Sequence, residues 1–220
     1  MSHRFARLPR ASTLGLAVRR ALLASAFTAI ATAASASAPE EARIQLNARL
    51  IDSASKEADA LRGARAPTSG RQLHLVQYVG PIQRRWYEVL EATGVRIVDF
   101  IPDYTYLVYG DEPALTELQS LARSEGSGIR WDAHYSGDLK INPGVYEFER
   151  KGVQPDFYAI QLIDDPAANA ETLALIRSAD SGASRVWQFR HYVNVEARVP
   201  LNALSAIANR PDVISILPDM

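Results

Sequence analysis

The chain has 220 residues, of which 47% are hydrophobic, so it is long enough for one or two hydrophobic cores. It contains no cysteine, which excludes disulfides, thiolate chemistry and cysteine-ligated metals. Its net charge of −1 disfavours nucleic-acid binding, since that depends on a basic surface.

Residues 1–38 predict a signal peptide. They contain five arginines and no acidic residue, an apolar run from Ala21 to Ile30, and small residues through Ala38. The apolar run is too short for a permanent span, so we expect a secreted or periplasmic protein without stable membrane insertion. Cleavage is expected after Ala36 or Ala38 and takes the net charge from −1 to −6. The general secretory route and the twin-arginine route both stay open.

Residues 39–71 are interpreted as a lead-in. Apolar residues recur at a loose helical spacing between Ile44 and Leu61, which predicts one short helix. The composition from Gly63 to Gly70 is typical of a flexible linker.

Residues 72–136 predict a strand–helix–strand–strand–helix–strand unit. Pro81 and Gly94 bound its first helix, and Asp111 caps its second. The predicted strands are Leu73 to Val79, Val95 to Ile101, Tyr104 to Tyr109 and Ile129 to Tyr135.

The same order recurs in residues 155–220, after a turn-rich connector at 137–154. Its helices begin after Asp165 and at Pro200, and Gln77 and Gln161 occupy equivalent places in the two first strands. The predicted strands are Phe157 to Ile163, Arg185 to His191, Val193 to Val199 and Val213 to Leu217. We therefore predict an α+β fold of two tandem ferredoxin-like βαββαβ units, each a four-stranded antiparallel sheet with two helices on one face.

The central strands of the first unit are apolar on both sides, although the helices can cover only one face. A partner-facing sheet surface is therefore predicted, with Val76, Tyr78, Leu107 and Tyr109 as its candidate residues. Stacking of the two units on each other is the alternative.

No motif predicts a catalytic residue, a cofactor or a metal site. Asp132, His134 and Ser136 alternate along one predicted strand, so we expect them not to converge into a triad. Asp164 and Asp165 are interpreted as helix-capping residues and not as a cation site. Core packing is expected for all three tryptophans: Trp86, Trp131 and Trp187.

The stretch His74 to Ile82 reads HLVQYVGPI and is followed by Trp86, Leu90, Gly94, Ile101-Pro102 and Tyr106 to Val108. In this stretch the chain resembles the N-terminal prodomain region of secreted bacterial subtilisin-like serine proteases, the fervidolysin-like type. The resemblance covers residues 72 to about 140 well and the second unit more weakly.

The resemblance implies a non-enzymatic propeptide that helps a catalytic domain to fold and inhibits it until removal. Related propeptides lay a ferredoxin-like sheet on two helices of the enzyme and pass a C-terminal tail through its active-site cleft. The catalytic domain is absent from these 220 residues, so the end at Met220 favours a truncated chain whose partner is in cis. The alternatives are a stand-alone inhibitor or interaction module acting in trans, and a ligand-binding pair of ferredoxin-like domains.

Overall fold

The computed structural model describes residues 42–63, 70–153 and 155–219, which belong to one compact unit. The predicted signal peptide and most of the predicted linker lie outside these residues. The strands are β1 (Arg43–Gln45), β2 (Leu50–Asp52), β3 (Gln72–Tyr78), β4 (Arg96–Ile101), β5 (Thr105–Gly110), β6 (Ile129–His134), β7 (Phe157–Ile163), β8 (Arg185–Phe189), β9 (Tyr192–Ala197) and β10 (Val213–Asp219). The helices are α1 (Lys56–Gly63), α2 (Arg84–Ala92), α3 (Glu112–Arg123), α4 (Gly144–Arg150), α5 (Pro166–Ala179) and α6 (Leu201–Ala208).

Two four-stranded antiparallel sheets form the framework, which confirms the predicted α+β class. The first sheet has the order β4-β5-β3-β6, and the second has the order β10-β7-β9-β8. Each predicted strand is present, with ends that differ by no more than two residues.

Two helices begin as the sequence predicts. The carboxylate of Asp111 accepts a hydrogen bond from Ala114 N at 3.1 Å and caps α3. The carboxylate of Asp165 accepts from Ala167 N and Ala168 N at 3.2 and 3.4 Å and caps α5. Each cap satisfies amide groups that have no partner inside the helix.

The lead-in differs from the single helix predicted for it. Residues 42–63, hereafter the cover segment, form the hairpin β1–β2 and only then the helix α1. Ile44 and Leu46 alternate with the exposed Gln45, so this part follows the two-residue period of a strand. The connector also contains a helix, α4, that its turn-rich composition did not predict.

The cover segment closes the helix-free face of the first sheet. Its Ile44, Ile51 and Ala58 share one buried core with Leu73 and Leu107 of the sheet. Helices α2 and α3 close the opposite face through a second core, which contains Val76, Tyr78, Val108, Leu90 and Leu118. Both faces of this sheet are therefore covered by the chain itself.

A buried glutamine fixes the cover segment to the first sheet. Gln77 is fully buried, and its side-chain nitrogen donates to Arg43 O and Asp103 O, both at 3.2 Å. Backbone bonds from Gln45 N to Pro102 O and from Asp103 N to Arg43 O, also at 3.2 Å, hold the same strand. These bonds give β1 a defined position on the sheet, because each one satisfies a buried polar group.

Candidate interaction surface

The structure corrects the predicted partner-facing set. In the β3–β5 register Leu75 lies opposite Leu107 and Val76 lies opposite Tyr106, and directly opposed residues share a face. Val76 and Tyr78 therefore face α2 and α3, whereas Leu107 and Tyr109 face the cover segment. All four side chains are buried, so they form no single exposed surface.

The second sheet has the corresponding helix-free face without a cover segment among the described residues. We call this surface the open face; its residues are Phe157, Ala159, Gln161, Arg185, Trp187, Asn194, Glu196 and Leu217. The register places them together, because Gln161 lies opposite both Asn194 and Ser215, and Trp187 lies opposite Asn194. The other face packs on α5 and α6 through Ile160, Leu162 and Val195.

Polar side chains of the open face pair with each other. Gln161 Nε2 donates to Asn194 Oδ1 at 3.2 Å, and Arg185 Nη1 donates to Glu196 Oε2 at 3.1 Å. The equivalent glutamine of the first sheet, Gln77, instead holds the cover segment. The two equivalent glutamines thus have different partners. Gln77 bonds to the cover segment, and Gln161 bonds to a neighbouring side chain of the open face.

One end of this helix-free face is occupied by the first sheet. Ile163, Tyr192 and Ile214 join the core that lies beneath the cover segment, and Tyr192 Oη donates to Val98 O at 3.2 Å. Apolar side chains thus fill the junction between the two sheets. Among the described residues, the two units contact each other at this end, and the open face continues beyond it.

Asp165 adds a polar connection at the same junction. Its Oδ2 accepts from Arg71 Nη1 and from Tyr109 Oη, both at 3.1 Å. Burial alone would raise the pKa of this carboxyl, but the hydrogen bonds from Ala168, Arg71 and Tyr109 outweigh it and lower the pKa. The predicted capping role of Asp165 is therefore confirmed, and Asp165 also links the two sheets.

The edge strand β8 carries large exposed apolar side chains. All five of its residues are exposed, including Val186, Trp187 and Phe189, whose exposed fractions are 44%, 43% and 62%. The prediction of core packing is right for Trp131 but wrong for Trp187. A strand of alternating aromatic residues does not show in its sequence whether it lies at the centre or the edge of a sheet.

Asp132, His134 and Ser136 do not form a relay among the described residues. Asp132 Oδ2 lies 3.1 Å from Nε2 of His74, whereas the hydroxyl of Ser136 donates to Asp138. Since the nucleophile of a triad must reach a base that a third group orients, this arrangement does not match one.

The buried His134 predicts a loss of stability in mild acid. Burial, with the charges of Lys140 and His74, lowers the pKa of His134 from 6.5 to about 4. The unfolded chain therefore binds the proton more tightly, and stability falls as the pH falls from about 6.5 towards 4. Because this ring is only partly buried, we expect a loss of about 1–2 kcal/mol.

Urea unfolding at pH 7.5 and 4.5 measures this effect. His134→Gln carries no titrating group at the position, so it should show a smaller difference between the two pH values than the natural chain. Equal differences in the two proteins would contradict the assignment to His134.

A buried polar cluster lies behind the second sheet. Asp212 is fully buried and accepts from Thr172 Oγ1 at 2.6 Å and from Asn169 Nδ2 at 2.8 Å. Lys140 is 2% exposed, and its ammonium donates to Arg210 O at 2.9 Å. Burial lowers the pKa of Lys140 to about 7, against the opposing attraction of Asp212.

The described part of the chain offers little for a metal ion or a membrane span. It has no group of three or more side chains that could hold a metal ion, and no helix there is long and apolar enough to cross a membrane. A cleft of about 420 Å³ lies within the second unit, between Asp156, Tyr158, Ser181 and Arg198. All the residues that line this cleft belong to the second unit.

Comparison with known proteins adds one family match. Residues 31–136 match a family described as a domain of unknown function (DUF8729). The match spans just under half of the chain and includes the cover segment and the first sheet. No curated protein matches the chain. The matched range therefore contains the first sheet together with the cover segment. The second sheet and its open face lie outside that range.

Proposed function

We propose that this chain is an exported, non-enzymatic interaction module, and that its partner is the catalytic domain of a subtilisin-like serine protease. On this proposal it acts as a chaperone and inhibitor of that domain, in cis or in trans. The choice of partner is supported by the stretch from His74 to Ile82, which resembles the prodomain region of subtilisin-like proteases. The open face is the observation that supports a protein partner.

The comparison of the two sheets carries this argument. Both have a helix-free face, and in the first sheet that face is buried by the 22 residues of the cover segment. In the second sheet the same face exposes Trp187, beside polar residues that are already paired. Exposed aromatic side chains beside polar residues are enriched in protein–protein interfaces.

We also assign each sheet and its two helices to the ferredoxin-like fold. Both units have the element order βαββαβ. In each sheet the first and third strands of the unit lie at the centre: β3 and β5 in the first sheet, and β7 and β9 in the second. This order supports the propeptide proposal, since the resembled propeptides use such a sheet. A stand-alone inhibitor would use the same surface.

Binding and inhibition test the proposal. The purified exported chain should hydrolyse no peptide substrate and should bind a subtilisin-like catalytic domain from the same organism at micromolar concentration or tighter. Ala159→Arg places a long charged side chain in the open face and should weaken binding at least about tenfold. Isothermal titration calorimetry measures the binding, and peptide cleavage measures the inhibition.

The matched control is Val89→Arg, which adds the same side chain to an exposed apolar position on α2. It should leave the affinity within about twofold. Absence of binding by the natural chain would refute the choice of partner. Equal loss in both variants would refute the open face as the contact surface.

A further inference from the structure

Among the described residues, other parts of the chain contact three of the four edges of the two four-stranded sheets. At β6, the side chain of Arg62 donates to Arg130 O at 3.0 Å, and at β4 Tyr192 Oη donates to Val98 O beside an irregularity in the register. At β10, backbone bonds link Lys140 and Asn142 to Ile216. Such features keep unpaired backbone groups of an edge from meeting another chain.

The fourth edge, β8, has no comparable protection among the described residues. It contains neither lysine nor proline, its pairing with β9 is regular, and its side chains are exposed. Exposed, regular and apolar edge strands are templates for adding another strand. The β8 edge is therefore a site where a strand of another chain could pair, and the sequence of β8 indicates which strand that is.

We propose that the occupant is β8 of a second copy, added antiparallel about a two-fold axis through Trp187. Only two residues, Arg190 and His191, join β8 to β9, so the pair next to the loop, Phe189 and Tyr192, is the hydrogen-bonded one. The pattern alternates along the strand. Phe189, Trp187 and Arg185 direct their backbone groups to β9, and Val186 and Gln188 direct theirs outward.

These outward groups match those of a second copy in one centred register. Val186 of each copy pairs with Gln188 of the other, and Trp187 faces Trp187 at the closer, non-hydrogen-bonded position. Arg185 then lies opposite Phe189 of the second copy, an arrangement that favours a cation–π contact. No like charges are opposed within the five paired residues, so the strand is complementary to itself.

The dimer should be weak. A five-residue edge buries less than the ~800 Å² per partner of a standard interface, so we expect a Kd on the order of 100 µM. This proposal does not depend on the protease partner, because the experiments use the chain alone.

Disulfide trapping tests the register. The chain has no cysteine, so Trp187→Cys introduces a single thiol. Cβ atoms directly opposed at a non-hydrogen-bonded pair are about 4.5–5.5 Å apart, close enough for a disulfide after a small adjustment. Under mild oxidation at 100 µM protein, we expect a covalent dimer on non-reducing gels at a rate at least about tenfold above that of Phe100→Cys.

Phe100 is the matched control because it is also an exposed aromatic residue on an edge strand, β4, with an exposed fraction of 50%. Equal rates for the two variants would show random collision and would overturn the proposal. Sedimentation velocity of the natural chain up to about 500 µM is the second measurement. A monomer throughout that range would overturn it as well.

Placing two like charges opposite each other gives a second test, which needs no oxidation. Phe189→Lys places a lysine opposite Arg185 of the second copy and should weaken association at least about tenfold. Phe100→Lys adds the same charge at β4 and should leave association unchanged. Circular dichroism verifies that both variants fold, and equal association in both would exclude β8 as the dimer edge.

Discussion

Trp131→Ala should lower the free energy of unfolding by about 3–5 kcal/mol. The side chain is 1% exposed and lies in the core between the first sheet and the cover segment. Its Nε1 also donates to Ala58 O at 3.0 Å, so the substitution removes both a large apolar volume and a buried hydrogen bond to α1.

Urea unfolding at pH 7.5 measures this loss, and Trp187→Ala is the matched control. Trp187 is 43% exposed, so its removal should cost less than about 1 kcal/mol. Similar losses in the two variants would contradict the placement of Trp131 beneath the cover segment. Trp131→Phe keeps most of the apolar volume and should fall between the two.

Periodicity was sufficient to predict the strands of both sheets. Runs such as Phe157 to Ile163 have clear ends, because a turn or a helix-capping residue follows each of them. The capping residues Asp111 and Asp165 were predictable for the same local reason. Strand ends and helix caps depend on residues that are close in sequence, so one sequence is enough to predict them.

The faces of the strands were harder to predict. A register irregularity between Gln77 and Tyr78 puts Trp131 opposite Gln77 and Ile129 opposite Tyr78. Trp131 therefore faces the cover segment, whereas Ile129 packs with the core under α2 and α3, although a regular two-residue alternation would put both on one face. A bulge changes the side on which later residues lie, and no local composition marks it.

The identity of the covering element was the least predictable feature. The sequence shows that both faces of the first sheet are apolar, and it correctly predicts that something covers the second one. The cover is the lead-in itself, which becomes clear only from long-range bonds such as Gln77 to Arg43. The same reasoning placed the exposed surface on the wrong sheet, since Leu107 and Tyr109 are covered and Trp187 is not.

Asp212→Ala should lower the free energy of unfolding by about 3–5 kcal/mol at pH 6. The substitution removes the acceptor of the Thr172 hydroxyl and one of the two acceptors of Asn169 Nδ2, which also donates to Ile163 O. It also removes the negative group whose attraction supports the charge on the buried Lys140. Buried donors without partners and an uncompensated buried cation are each costly.

The loss should depend on pH in a specific direction. The pKa of Lys140 is already about 7 in the folded chain, and without Asp212 it should fall further. Because the unfolded lysine keeps its proton to about pH 10, raising the pH from 6 to 9 favours the folded chain with a neutral Lys140. The variant should therefore be less destabilised at pH 9 than at pH 6.

Urea unfolding of a double-variant cycle separates the two causes. Lys140→Met removes the buried cation while keeping an apolar stem of similar length, so it should recover part of the loss caused by Asp212→Ala at pH 6 and remove its pH dependence. Glu171→Ala is the control, since the Glu171 side chain is 73% exposed and its ion pair with Arg210 should contribute less than about 1 kcal/mol. Additive losses for Asp212→Ala and Lys140→Met would show that the two groups are not coupled, and the pH dependence would then need another source.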